Sequence, residues 1–184
     1  MRLKVIQMCA GLLWLTGVNS FVLAQYKALE WVELLPDSDY QALLSAPPIN
    51  HEGGDFGPPP EPLLRSEASA FGNSSFEQAL VSAQIRQELD GESVRLPGFV
   101  VPLEYDANQN VTEFFLVPYF GACIHMPPPP PNQIIYVSYP QGLELPSIYE
   151  PFTVEGKLTT ALTSNDTALS AYRIDADGVQ LYRE

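Results

Sequence analysis

The stretch from Val111 to Tyr139 reads VTEFFLVPYFGACIHMPPPPPNQIIYVSY and holds almost all the distinctive chemistry of the chain. It opens with a dense apolar run, Phe114 to Phe120, and closes with another, Ile134 to Tyr139, which predicts two core strands joined by an unusual connection. Cys123 and His125 stand two residues apart in that connection, after Gly121-Ala122. Extended backbone alternates its side chains, so a thiol and an imidazole at i and i+2 share one face. Five prolines, Pro127 to Pro131, follow Met126. Their fixed φ and missing N–H favour a left-handed polyproline rod of ~15 Å, at ~3.1 Å per residue. Such a rod cannot enter a sheet interior; it lies over a surface or lines a groove, and it pushes Met126 away from helix.

The motif GACIHMPPPPPNQ, with LPGFVVPLE at Leu96 to Glu104 and FFLVPYF at Phe114 to Phe120, closely resembles a bacterial family known as domain of unknown function 3299. The resemblance runs over roughly Leu89 to Tyr182. It implies a secreted, mostly periplasmic protein working near an ABC-type export or metal-uptake system.

Outward from this stretch, residues 1–24 read as a secretory signal peptide: Arg2 and Lys4, an apolar region, and Val22-Leu23-Ala24 as the small-residue cleavage site. Periplasmic localisation from Gln25 onward is therefore expected. Cys9 lacks the approach of a lipoprotein signal, and Thr16, Asn19 and Ser20 interrupt the apolar run short of the ~20 residues a membrane span needs, so neither lipid nor N-terminal anchor is expected. The chain has 9 Lys+Arg against 22 Asp+Glu; losing Arg2 and Lys4 leaves 7 against 22, a net charge of −15. Nucleic acid and anionic membrane surfaces, which need a basic partner, are excluded as expectations. Cys123 becomes the sole cysteine, which is unusual in an oxidising compartment unless it is buried or metal-bound.

Residues 25–75 divide into a helical arm and a linker. Ala28, Trp31, Val32 and Leu35 repeat at helical spacing, Asp37 is an N-cap candidate for a second piece, and Trp31 is expected to pack on the domain beyond. Ser45 to Ser75 is rich in Pro, Gly, Ser and Asn and reads as linker, with His51 a solvated loop histidine when taken alone. Residues 76–184 form the domain proper. Ser74 with Glu77 offers a capping box to a short helix through about Ala83, after which Ile85–Leu89 and Val94–Leu96 flank Asp90-Gly91 as a hairpin signal. Strands are expected at Phe99–Tyr105 and Phe114–Phe120, with Pro102 and Pro118 marking bulges or edges, and again at Pro151–Leu158. A short helix is expected within Leu162–Ser170, and a hairpin with Asp177-Gly178 as its turn between Tyr172–Ile174 and Val179–Tyr182. The fold class is mainly β: a small antiparallel barrel, OB-like in strand count, or a sandwich, with a short helical N-terminal arm.

Two functions fit these residues. The first is a periplasmic metal-binding accessory protein linked to an ABC-type transport system. Its thiolate and imidazole, Cys123 and His125, suit zinc; copper is the alternative, for which Met126 adds a thioether. Two ligands are too few, so the remainder falls to His51, Glu104, water or a second chain. The alternative is a cell-envelope interaction module that binds no metal and keeps a structural Cys/His pair. It would dock through Pro127, Pro128, Pro129, Pro130 and Pro131, Asn132 and Gln133, and the aromatics Phe114, Phe115, Tyr119 and Phe120. A thiol enzyme with His125 activating Cys123 lacks an assignable orienting residue, so enzymatic activity is not the expectation.

Overall fold

The computed structural model describes residues 26–45, 74–122 and 128–183. In chain order the elements are β1 (Lys27–Ala28), α1 (Asp37–Leu44), α2 (Ser75–Ala79), β2 (Ser93–Tyr105), β3 (Val111–Val117), β4 (Ile135–Leu143), β5 (Pro151–Thr159), β6 (Thr163–Ser164), β7 (Leu169–Ser170) and β8 (Tyr172–Leu181), with 3-10 turns at Trp31–Leu34, Gln87–Leu89 and Pro131–Gln133.

β2 organises the sheet because it serves two partners. Ser93 to Phe99 pair antiparallel with β5, and Phe99 to Tyr105 with β3. From β3 the ladder runs antiparallel to β4, parallel to β8 and antiparallel back to β5, so the order β2-β3-β4-β8-β5 closes on β2. This is a five-stranded OB-like barrel, and the sandwich alternative falls away. Closure removes the open edges that would otherwise invite pairing with another chain. Where the first half of β2 leaves one edge free, β1 takes it in parallel, Lys27 opposite Val94 and Ala28 opposite Arg95. As Pro102 suggested, the β2–β3 register shifts between Pro102 and Glu104.

Alternation along the strands builds two apolar layers. Inside the barrel lie Val94, Leu96 and Val100 of β2, Phe114 and Leu116 of β3, Ile135 and Val137 of β4, Val154 and Leu158 of β5, and Tyr172 and Ile174 of β8. Outside, Phe115, Val117, Ala122, Ile134 and Tyr136 form a second buried cluster against Phe99, Val101 and Leu103. β3 is therefore apolar on both faces because both are covered. Trp31 packs on the barrel, as expected, and its indole Nε1 donates to the Pro97 carbonyl at 2.7 Å. Gly98 makes room for that contact: a Cβ there would lie 2.8 Å from Leu116 Cγ and 3.0 Å from Trp31 Cζ2.

Several local expectations are corrected. The arm is a 3-10 turn followed by α1, with Pro36 and not Asp37 at the cap. The Ser74–Glu77 capping box forms, but α2 ends at Ala79. Ile85–Leu89 is no strand: Asp90 accepts from Thr160 N and Oγ1, and Gly91 N donates to the Leu158 carbonyl, so this pair ties the segment to the end of β5 and makes no hairpin. Asn165 Oδ1 accepts from the backbone of Thr167 and Ala168, holding β6 and β7 as a small hairpin where a helix was expected. Asp177-Gly178 is no turn. β8 runs straight through it because β5 is long enough to pair with both halves, and Asp177 is the extra residue of a bulge between the Glu155–Gly178 and Gly156–Ala176 pairs.

Candidate functional site

β3 ends at Val117, and the chain turns through Pro118 to Ala122, with Gly121 at φ +77° and the Ala122 amide donating to the Tyr119 carbonyl. Ala122 is fully buried in the outer layer. Cys123, His125, Met126 and Pro127 lie outside the described residues, as do residues 46–73 with His51 and residues 1–25, where the signal peptide at 1–24 was expected. The chain is described again from Pro128, which is exposed, while Pro129 and Pro130 are buried.

Asn132 and Gln133 were expected to face a partner. Both are instead engaged within the chain, and Asn132 is fully buried. Its Nδ2 donates to Asp39 Oδ2 at 2.9 Å and to the Gln84 carbonyl at 3.1 Å, and its amide N donates to the Ser82 carbonyl. Gln133 Nε2 donates to the Trp31 carbonyl at 2.9 Å, and the Pro131 carbonyl accepts from Ala171 N. These bonds join the arm, the segment after α2 and β8 at one point. Tyr172 completes the junction: its hydroxyl donates to the Leu34 carbonyl and accepts from Arg86 N, and burial raises its pKa.

Glu104 is exposed on the outer face of β2, paired with Glu113 of β3. Tyr136 lies beside them with the Arg173 guanidinium 5.2 Å above its ring, and Arg173 in turn bonds Asp175. Burial, then the hydrogen bond to Glu113, pushes the Tyr136 phenol up to about 12. Among the described residues no three His, Cys, Asp or Glu side chains are grouped to hold a metal ion.

Of the four aromatics expected in a docking surface, Phe114 and Phe115 are buried, whereas Tyr119 and Phe120 are exposed. Phe120 joins residues that sequence reasoning missed. The Phe120 ring stands edge-on to Phe99 at 6.2 Å and lies 4.7 Å from Tyr149, which is 70% exposed, and Ile148 is exposed beside them. Under this aromatic shelf is a recess of about 140 Å³ lined by Phe99, Val101, Pro102, Val117, Phe120 and Ile148. A shallower groove of about 300 Å³ runs between Pro128, Pro129 and Ile134 on one side and Leu80, Val81 and Ala168 on the other. The signal for the shelf was present: Ile148-Tyr149 is an adjacent apolar pair in a proline-containing loop between two strands, bounded by Glu144 and Glu150.

The family described as Protein of unknown function (DUF3299) matches residues 31–181. The chain belongs to the DUF3299 family. The match begins at Trp31, well before the expected Leu89, in keeping with an arm bonded directly to Asn132 and Gln133. A crystal structure of a DUF3299 family protein from Pseudomonas aeruginosa shares 37% identity, covers 87% of this chain and 98% of its own, and superposes with a TM-score of 0.61. A small single-stranded DNA-binding protein from Streptomyces coelicolor shares 14% identity, covering 50% of this chain and 94% of its own; its TM-score of 0.28 is too low to bear on fold or function. No curated protein matches the chain.

Proposed function

We propose that this DUF3299 protein is a cell-envelope interaction module, exported by the leader at 1–24 and accessory to an ABC-type transport system. The observation that supports it is the shelf: Phe120, Ile148 and Tyr149 stand exposed together at an apolar recess, and exposed apolar clusters of this kind mark interaction sites. The strong negative charge leaves a protein, and not a nucleic acid or an anionic lipid surface, as the partner. Placing a photo-crosslinking phenylalanine analogue at Tyr149 in living cells should give one discrete adduct with an envelope protein, absent when the analogue sits at Asn165. An adduct pattern no different from that control would sink the reading.

The second reading is metal binding by Cys123 and His125, for zinc first and copper as the alternative. It is favoured by the sequence, in which Cys123 is the only cysteine of the exported chain and has a histidine two residues away. Remaining ligands would come from His51, Met126, Glu104 or the docked partner. Titration of metal-stripped protein with Zn(II) and Cu(I), alongside Cys123→Ser and His125→Ala, tests it. Uptake by the parent that both variants lose supports the pair, and equal uptake by all three refutes it.

A further inference from the structure

We propose that the shelf takes a short cationic segment of a partner protein, seating one aromatic or branched aliphatic side chain in the recess with lysine or arginine on either side. This rests on the docking reading above and adds the chemistry of the occupant. The recess, about 140 Å³ and apolar throughout its lining, holds a single side chain. Its walls are fixed by the fold, since Val117 is fully buried in the outer layer and Phe120 is held edge-on by Phe99. A preformed pocket with one anchor is how most interfaces concentrate their binding energy.

Charge complementarity chooses the flanks. The three segments that build the shelf, residues 96–105, 113–122 and 143–151, carry Glu104, Glu113, Glu144 and Glu150 and no Lys, Arg or His. Glu104, Glu144 and Glu150 are exposed. The exposed face of Tyr149, beside Phe120, adds a site over which an ammonium or guanidinium group is attracted. A second copy of this chain would bring the same carboxylates against these, so self-association is the disfavoured occupant.

The test uses the exported chain, residues 25–184, and a fluorescein-labelled pentapeptide with phenylalanine between two pairs of lysines, followed by fluorescence anisotropy. Saturable binding is expected below about 1 mM, the weak end of the affinity scale. Replacing the peptide phenylalanine by alanine, or its lysines by glutamates, should each weaken binding by roughly tenfold or more. On the protein, Ile148→Asp should cost roughly tenfold by placing a carboxylate in the recess. Glu150→Lys should cost about threefold and flatten the salt dependence. Both positions are exposed, so an unchanged circular dichroism spectrum shows that the variants fold. No binding of the lysine peptide, equal binding of the glutamate peptide, or full binding by Ile148→Asp overturns the proposal. So does self-association in sedimentation velocity that Ile148→Asp abolishes, because the shelf would then belong to a second copy. A positive crosslink at Tyr149 with a negative peptide result would leave the module reading standing and reject the cationic occupant alone.

Discussion

Replacing Asn132 by alanine tests whether the residues after the proline run hold the arm to the barrel. The side chain is fully buried and gives its two donors to Asp39 Oδ2 and the Gln84 carbonyl. Asp39 is itself only 4% exposed, and after the change its carboxylate would keep just the long 3.4 Å bond from Gln84 Nε2. A hydrogen bond to a charged group contributes about 1.5–3 kcal/mol and a neutral one about 1, and a buried group left unpaired adds its desolvation cost. Against this, Asn132 Oδ1 has no donor among the described residues, so its removal returns part of the loss. The net expectation is about 3 kcal/mol, which for a domain of this size lowers Tm by roughly 10 °C. Urea and thermal unfolding followed by circular dichroism give the magnitude. Trp31 adds a local readout, because in protein prepared from Gln25 onward it is the sole tryptophan and its indole is bonded to Pro97 on the barrel. In Asn132→Ala its emission should shift red before the barrel melts. Because the bond is shared, Asn132→Ala should cost about 1–3 kcal/mol less when Asp39 is already alanine. A loss below about 1 kcal/mol, or single effects that simply add, would refute the clamp.

Three further outcomes are expected. Replacing Pro129 and Pro130 by Gly-Ser should destabilise the fold measurably, because both rings are buried and the unfolded chain gains freedom; unchanged melts would show that neither ring packs productively. Gly98→Ala should cost about 1–3 kcal/mol by overpacking, since its Cβ would meet Leu116 and the Val117 carbonyl at 2.8 Å with Trp31 just behind, and urea midpoints check this. Ultraviolet titration should find one tyrosine ionising at about 12, and Glu113→Gln should bring it closer to the ordinary range. The sign follows from a raised folded value: the stability that Tyr136 contributes is whole below about pH 10, where the unfolded phenol titrates, and is lost as pH climbs from there towards the folded value.

The barrel was legible where a residue's environment is decided by its neighbours along the chain. Phe114-Phe115-Leu116-Val117 signals a strand covered on both faces, and the loop that joins it to β2 is held locally, with Asp106 accepting from Asn108 N and Asn110 N. The errors fell where one local signal serves two structures. Asp-Gly suits a hairpin turn and also a bulge, and what decides at Asp177-Gly178 is that β5 continues to Thr159, a fact stored elsewhere in the chain. Asn165 suits a helix cap and also the turn that replaces the helix.

The site divides along the same line. The run from Cys123 to Gln133 was conspicuous as sequence, but the partners of its last two residues are 93 and 102 positions away, at Asp39 and Trp31, where nothing in the local pattern points back. Gly98, Trp31 and Gln133 are thus one packing unit read as three unrelated features, a motif glycine between two expected strands, an arm residue and a docking residue. With Asn132 and Gln133 turned inward, whatever the motif does for a partner or a metal must rest on the residues before them. The arm follows from this: a chain that began after the linker would lose Asp39, Trp31 and β1 together, leaving Asn132 buried without its carboxylate and the first half of β2 with an open edge. The arm belongs to the folded unit, packed on β2 at Pro97 and Gly98 through Trp31.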